Sequence, residues 1–223
     1  MLPMPVRSLQ TIAVFLLCLC SGLAEAGPLA GSVVGLAGQV FLDRSGQRYG
    51  LRLGDQVFVD HTFTVSAGAK LKLRMNDGSV LSLAENTTLR IDAYALNSYG
   101  QRQSAGVSLV GGLIRAITAP GGQSSSFEVN TAVGASGARS TDWFSGVLTA
   151  SPRPGSRLSG AAPGTAYVVV LSGTVALTSR ATGRAVLIPP RYGSEVLAGQ
   201  DPHAPVLHTQ AEIDRLIART ELP

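Results

Sequence analysis

The residues of this sequence best suited to metal chemistry are its histidines and cysteines, and their positions argue against a metal centre. His61, His203 and His208 are isolated, although the last two share a proline-flanked tail, and Cys18 and Cys20 lie together near the amino terminus. A protein metal site needs several His, Cys or acidic ligands that converge on one ion. We therefore expect no bound metal.

Serine, histidine and carboxylate groups could catalyse hydrolysis, but their sequence context is not that of a catalytic site. No Gly-x-Ser-x-Gly elbow is present, and neither are the glycine-rich patterns that bind phosphates or dinucleotides. Five aspartates fall where turns or strand edges are expected, and acids are common there in any protein: Asp43, Asp55, Asp60, Asp77 and Asp92. We therefore expect a non-enzymatic protein with no catalytic residue and no cofactor. A hydrolase with an unrecognised site remains an alternative.

One short segment carries side chains suited to recognition. Arg139, Asp142 and Trp143 lie close together within a glycine-rich turn region, and Trp143 is the single tryptophan of the chain. Aromatic and guanidinium groups together suit contacts with a protein or a sugar. These three residues are therefore the candidate binding residues. In the alternative interpretation, Trp143 fills the core and Arg139 pairs internally with Asp142.

The charge distribution argues against a nucleic-acid partner. The formal net charge is +4, carried by sixteen arginines and by only two lysines, Lys70 and Lys72. The arginines occur singly along the chain, whereas binding to nucleic acid requires a concentrated basic patch or stripe. We expect these arginines to lie on solvated strand faces.

The elements that must position these residues are short strands. Apolar and other residues alternate in Leu71–Met75, the Asn76–Gly78 segment supplies a tight turn, and Val80–Leu83 follows it. Similar short runs recur along the chain without a helical pattern between them. This predicts an all-β fold, either a short β-solenoid or a sandwich-like domain, and excludes a doubly wound α/β fold.

A single helix is predicted at the carboxyl end. Thr209–Glu212 forms a capping box, and Ile213, Leu216 and Ile217 then recur at helical spacing. An isolated helix of about ten residues is marginal in water, so this one must dock on a surface to persist. That surface is either the β-domain of the same chain or a partner.

The first residues have the pattern of a secretory signal. Arg7 gives a positive start, Thr11–Leu19 is a short apolar run, and Ala24-Glu25-Ala26 is an A-x-A cleavage site. The apolar run is about half of the roughly 20 residues that a membrane-spanning helix needs. We expect the mature protein to begin at Gly27, without cysteine and without a membrane span. The predicted organisation is a signal peptide over 1–26, a β-domain over 27–200 with a loop insertion over 151–165, and a proline-containing tail with the helix over 201–223.

Two groups of short motifs lie in order along the chain. The first group is Gly38-Gln39-Val40, Leu53-Gly54-Asp55, Leu71-Lys72-Leu73 and Asp77-Gly78-Ser79; the second is Leu109–Leu113, Val129-Asn130-Thr131, Arg139-Ser140-Thr141 and Gly173-Thr174-Val175. With these motifs the chain resembles the FecR domain family from about Gly35 to Leu177. The family usually has a glycine where this chain has Ser140. We therefore expect either an ordinary φ at Ser140 or a relaxed role for this turn.

The resemblance implies a periplasmic β-rich domain. In the best-known members this domain receives a signal from an outer-membrane siderophore transporter, and a cytoplasmic anti-sigma region and one membrane span precede it. We expect this chain to lack both, so the transducer role does not carry over and only binding or scaffolding does. The predicted function is that of an exported binding module, periplasmic or secreted, of a Gram-negative bacterium. Its partner would be an envelope protein; the alternative is a module that binds polysaccharide or the cell wall.

Overall fold

The computed structural model describes residues 27–120, 125–149 and 163–222. The predicted signal peptide and residues 151–162 of the predicted insertion lie outside the described residues. The strands of the first half are β1 (Leu29–Ala37), β2 (Val40–Arg44), β3 (Gln47–Gly50), β4 (Gln56–Phe58), β5 (Thr62–Val65), β6 (Lys70–Met75), β7 (Val80–Leu83), β8 (Thr87–Leu96) and β9 (Arg102–Ile117). The second half has β10 (Phe127–Asn130), β11 (Gly134–Ala138), β12 (Asp142–Val147), β13 (Ala166–Ser172), β14 (Val175–Ser179), β15 (Ala185–Ile188), β16 (Tyr192–Val196), β17 (Val206–Leu207) and the helix α1 (Gln210–Thr220).

The strands pair into two open sheets that share one long strand. The first sheet has the order β4-β1-β6-β7-β9-β12-β13-β16-β17, and all its pairs are antiparallel. The second has the order β3-β2-β5-β8-β9-β10-β11-β14-β15 and is antiparallel except for the β9–β10 pair. The predicted all-β class is therefore confirmed, in its sandwich-like form.

Strand β9 passes from one sheet to the other at a glycine. Its first part, up to Gly111, pairs with β8 in the second sheet, and from Gly112 onward it pairs with β12 in the first. Gly112 has a φ of +92°, and a β-carbon there would lie 2.4 Å from Oγ1 of Thr87. Only glycine combines this backbone conformation with so close an approach. The bend turns β9 into one corner of the sandwich.

The main core lies between the two sheets, where the inward residues of the alternating strands meet. Trp143 on β12 and Phe127 on β10 come from opposite sheets, and their rings pack edge to face with centroids 6.2 Å apart. Strands that showed period two in the sequence contribute alternate buried residues to this core, as in β6 and β8. The aromatic pair therefore joins the sheets in the middle of the fold.

Helix α1 covers an apolar strip on the outer face of the first sheet. Leu216 and Ile217 pack against this strip. Lys70 on β6 donates to the carbonyl oxygen of Ala218 at 2.8 Å and also to that of Glu221, at the carboxyl end of the helix. The residues of the strip are Ala84, Leu113, Phe144, Tyr167 and Val169.

The predicted helix and its capping box are confirmed. The Thr209 side chain accepts from the backbone N–H of Glu212, and the Glu212 side chain accepts from that of Thr209. Among the described residues α1 is the single helix, and no helix there is long and apolar enough to span a bilayer.

Candidate functional site

Three of the sequence motifs meet at one end of the sandwich, around the residues that follow β9. They are Asp77-Gly78-Ser79, Arg139-Ser140-Thr141 and Gly173-Thr174-Val175. The backbone N–H of Ala119 donates to Oγ of Ser79 at 3.1 Å, and that of Thr118 donates to the carbonyl of Thr141 at 2.9 Å. Gly173, with a φ of +81°, lies so close to Thr141 that a β-carbon would be 2.6 Å from its Oγ1. We call this the motif end.

A buried ion pair forms the interior of the motif end. Arg102, the first residue of β9, donates through Nη1 to the carboxylate of Asp77 and to Oγ of Ser79, the latter at 3.0 Å. Its Nη2 donates to the carbonyl of Ala119 at 3.1 Å. Both side chains of the ion pair are buried, 0% and 1% exposed. Arg102 thus ties the start of β9 to the chain just beyond its end, because the bend at Gly112 brings the two ends together.

Aromatic rings enclose this ion pair. The guanidinium of Arg102 lies over the ring of Phe127, 5.7 Å from its centroid, and the hydroxyl of Tyr94 accepts from the backbone N–H of Asp77 at 2.6 Å. Burial, followed by the negative charge of Asp77, raises the pKa of Tyr94 well above its ordinary value. The hydroxyl of Tyr94 therefore stays protonated and uncharged while it accepts the hydrogen bond from Asp77 in the β6–β7 turn.

The Arg139-Ser140-Thr141 motif forms the turn between β11 and β12. Ser140 has a φ of +47°, so the expectation of an ordinary φ at this position is wrong. The turn is held from both sides, since Oγ1 of Thr141 donates to the carbonyl of Arg139 at 2.7 Å and its N–H donates to Oγ1 of Thr118 at 3.0 Å. These bonds hold a non-glycine residue in the left-handed region.

The structure separates the three candidate binding residues. Trp143 is fully buried, and its side chain packs in the core between the sheets. Asp142 does not pair with Arg139 as the internal interpretation predicts; it accepts from Nε and Nη2 of Arg115 at 2.9 and 2.8 Å. Hydrogen bonding to Asp142 raises the pKa of Arg115 above its ordinary value. Of the three residues, Arg139 is the exposed one.

A second exposed side chain at the motif end is Tyr99, at the tip of the β8–β9 hairpin. It is 86% exposed. The turn beneath it is ordered by Asn97, whose Oδ1 accepts from the backbone N–H groups of Tyr99 and Gln101 at 3.0 and 2.9 Å. Tyr99, Arg139 and Ser140 are among the exposed residues of this end, and we refer to these three as the motif-end surface.

The motif end offers hydrogen-bonding groups, a buried ion pair and an exposed aromatic ring. No group of three or more His, Cys, Asp or Glu side chains suited to holding a metal occurs among the described residues.

The sequence analysis did not identify Arg102 or Tyr99. A charged residue at the start of a long alternating run carries no local signal of burial, and Asp77 lies 25 residues away.

Comparisons with known proteins agree with this architecture. A family model described as FecR protein matches residues 61–176, more than half of the chain. Two crystal structures of a candidate anti-sigma factor from Parabacteroides distasonis ATCC 8503 are similar in fold, each with a TM-score of 0.51 and 12% identity over 70% of this chain. The similarity covers 64% and 63% of those chains, less than two thirds of their length. No curated protein matches this sequence.

Proposed function

This chain belongs to the FecR family, and we propose that it is an exported regulatory module of the bacterial envelope that acts by binding another envelope protein and not by catalysis. The family match supports a sensory or regulatory role. The candidate anti-sigma factors of similar fold are consistent with that role, and at 12% identity they support it through the fold alone.

The observation that carries the proposal is the division of the motif end into an inner and an outer part. The inner part consists of residues that hydrogen-bond within the protein and hold its strands and turns together: Asp77, Ser79, Arg102 and Thr141. Tyr99, by contrast, is held outward on a turn with its ring in solvent. A rigid frame that presents exposed tyrosine and arginine side chains is suited to a protein interface, because little ordering entropy is lost when a partner binds.

Site-specific photo-crosslinking tests the proposal. A photoreactive amino acid replaces Tyr99 or Arg139 in the native bacterium, and the matched control replaces Thr149, which is exposed near the β9 corner at the opposite end. We expect positions 99 and 139 to capture the same envelope protein, identified by mass spectrometry, and position 149 to capture none.

Three results would contradict the proposed function. Equal capture at all three positions, or capture at none, removes the motif end as an interface. Co-sedimentation with purified cell-wall glycan that is lost in Tyr99→Ala, while the melting temperature stays unchanged, replaces the protein partner by a carbohydrate.

A further inference from the structure

His61 is a buried titratable residue outside the motif end. It lies in the turn that leads from β4 in the first sheet to β5 in the second and is 3% exposed. Its ring packs edge-on between Phe58 and Phe63, with centroid distances of 5.3 and 6.2 Å. A histidine in such apolar surroundings is held neutral.

The hydrogen bonds of His61 identify its neutral tautomer. Nδ1 accepts from the backbone N–H of Phe58 at 3.4 Å, so the ring proton lies on Nε2. Nε2 is buried and has no hydrogen-bond partner among the described residues. The neutral imidazole offers one acceptor and one donor, and this turn uses only the acceptor.

Protonation is incompatible with this closed turn. The imidazolium carries a hydrogen on both nitrogens, so Nδ1–H would face the N–H of Phe58 and the acceptor would be lost. The new charge would also lie between two phenyl rings with no acceptor at Nε2. The turn must therefore open for the second proton to be accommodated.

The charged groups around His61 oppose its protonation on balance. Burial is the main cause that lowers the pKa of His61 below its ordinary value of 6.5; the charge of Arg44, the last residue of β2, acts in the same direction, and that of Asp60 opposes both. From β8, Arg90 pairs with Asp60 at 2.5 Å and lies 3.8 Å from Asp92. The closed turn is therefore fully favoured above pH 6.5, and this preference is lost as the pH falls toward the lowered pKa.

Opening of the turn would affect β4 and the two hydrogen bonds to Ile91 on β8, while the β5–β8 pairs from Thr62 to Val65 lie beyond the turn. β4 has three residues, and its one partner strand among the described elements is β1, with a register shift between Leu29 and Gly31. The turn itself is tied by the bonds from Val59 N–H to Pro28, from Asp60 N–H to Ile91 and from Ile91 N–H to His61. Val57 is the one buried side chain of β4, so few buried apolar contacts oppose local opening of this short edge strand.

We propose that His61 is an acid-sensitive latch whose protonation opens the β4–β5 turn and releases β4 from the edge of the first sheet. The inference is independent of the proposed function, because it concerns a different part of the fold and requires no partner.

Hydrogen exchange of the whole protein between pH 7.5 and 5.0, corrected for the intrinsic rate, tests the latch. We expect the protection of the Asp60 and Ile91 amides to fall by up to about tenfold per pH unit below pH 6.5. The Leu113 amide, which donates to Oγ1 of Thr87 in the β9 corner, keeps its protection. In His61→Asn the amide oxygen replaces Nδ1 as acceptor but does not titrate, so the pH dependence at Asp60 and Ile91 disappears. His203→Asn, at an exposed histidine paired with Glu195, leaves it unchanged.

Three results overturn the latch: unchanged protection of Asp60 and Ile91 down to pH 5.0, the same loss in His61→Asn as in the parent protein, or simultaneous loss at Leu113, which would indicate global unfolding. If His61→Asn does not fold, proton NMR titration of a His203→Asn/His208→Asn variant observes the His61 ring alone. Its protonation must then coincide with the loss of protection at Asp60, and protonation without that loss rejects the proposal.

Discussion

At the scale of single residues, the polar side chains of the sequence motifs form hydrogen bonds within the protein. Asp77, Ser79 and Thr141 belong to motifs that the sequence alone marks as unusual, and each is satisfied by bonds within the motif end. The exposed residues of this end lie both beside these motifs, as Tyr99 does, and within one of them, as Arg139 and Ser140 do. One motif can therefore supply both internal hydrogen bonds and exposed side chains.

Trp143 provides a test of the core assignment. Trp143→Ala removes a fully buried ring that packs against Phe127 across the two sheets, and we expect the free energy of unfolding to fall by about 3–5 kcal/mol. Urea denaturation measures this change. As a control, Tyr99→Ala at the exposed hairpin tip should change it by no more than about 0.5 kcal/mol. An unchanged midpoint for Trp143→Ala, together with loss of a partner, would return this residue to the binding surface.

The buried pair of Arg102 and Asp77 predicts a non-additive mutant cycle. Arg102→Met leaves the Asp77 carboxylate buried without its cation, and we expect a loss of about 3–5 kcal/mol in urea denaturation. Adding Asp77→Asn removes the uncompensated charge while Oδ1 can still accept from the Ser79 N–H, so most of the loss is regained. Equal losses that simply add would show that the two side chains do not interact in solution.

At the scale of elements, two features position the motif end. The bend of β9 at Gly112 makes both ends of this strand return to the same end of the sandwich, where Arg102 joins them. Helix α1 covers the apolar strip on the outer face of the first sheet. Intramolecular docking of the helix is thus the arrangement that the structure contains, and it leaves the outer face of the second sheet uncovered by α1.

Removal of α1 tests how much this docking contributes. A chain that ends after His208 exposes the strip beneath Leu216 and Ile217. We expect the free energy of unfolding to fall by about 2–5 kcal/mol, which corresponds to a melting temperature lower by roughly 5–15 °C. Arg215→Ala, on the exposed side of the helix, is the matched control and should melt like the full chain. An unchanged melt after truncation would show that the helix does not stabilise the sandwich.

At the scale of the whole molecule, the described residues form one sandwich whose stability comes from its core. Both cysteines of the chain precede Gly27, so no disulfide can close the described part. A β-domain of this size can bury enough apolar surface to fold without one. Its strand pairs join distant parts of the sequence, from β1 with β6 to β13 with β16, so we expect slow folding compared with helical proteins of similar length.

Export gives the prediction at this scale. Cleavage after the Ala24-Glu25-Ala26 site should release a periplasmic or secreted protein that begins at Gly27. Amino-terminal sequencing of the protein from the periplasmic fraction decides this. Ala26→Arg, which removes the small residue at the cleavage position, should accumulate the uncleaved precursor. Recovery of Met1 in membranes from the unaltered chain would contradict a cleaved and exported protein.

Sequence alone determined the features of this protein that depend on neighbours along the chain. The period-two pattern of β6, the Asp77-Gly78 turn and the capping box at Thr209 are each set by backbone sterics or by hydrogen bonds within a few residues. The structure contains all three. The FecR resemblance likewise rested on short motifs in a fixed order, and the family match confirms it.

Only the tertiary structure decided which residues meet across the sandwich. The sequence interpretations left Trp143 between core and surface, offered Arg139 as the partner of Asp142, and did not identify Arg102 as buried. The structure pairs Asp142 with Arg115, 27 residues away, and Asp77 with Arg102, 25 residues away. Such partners depend on strand order and on the bend at Gly112, which arise from packing of the two sheets as a whole. Local pattern contains no information about them, because burial of a charge becomes favourable only when its distant partner is already in place.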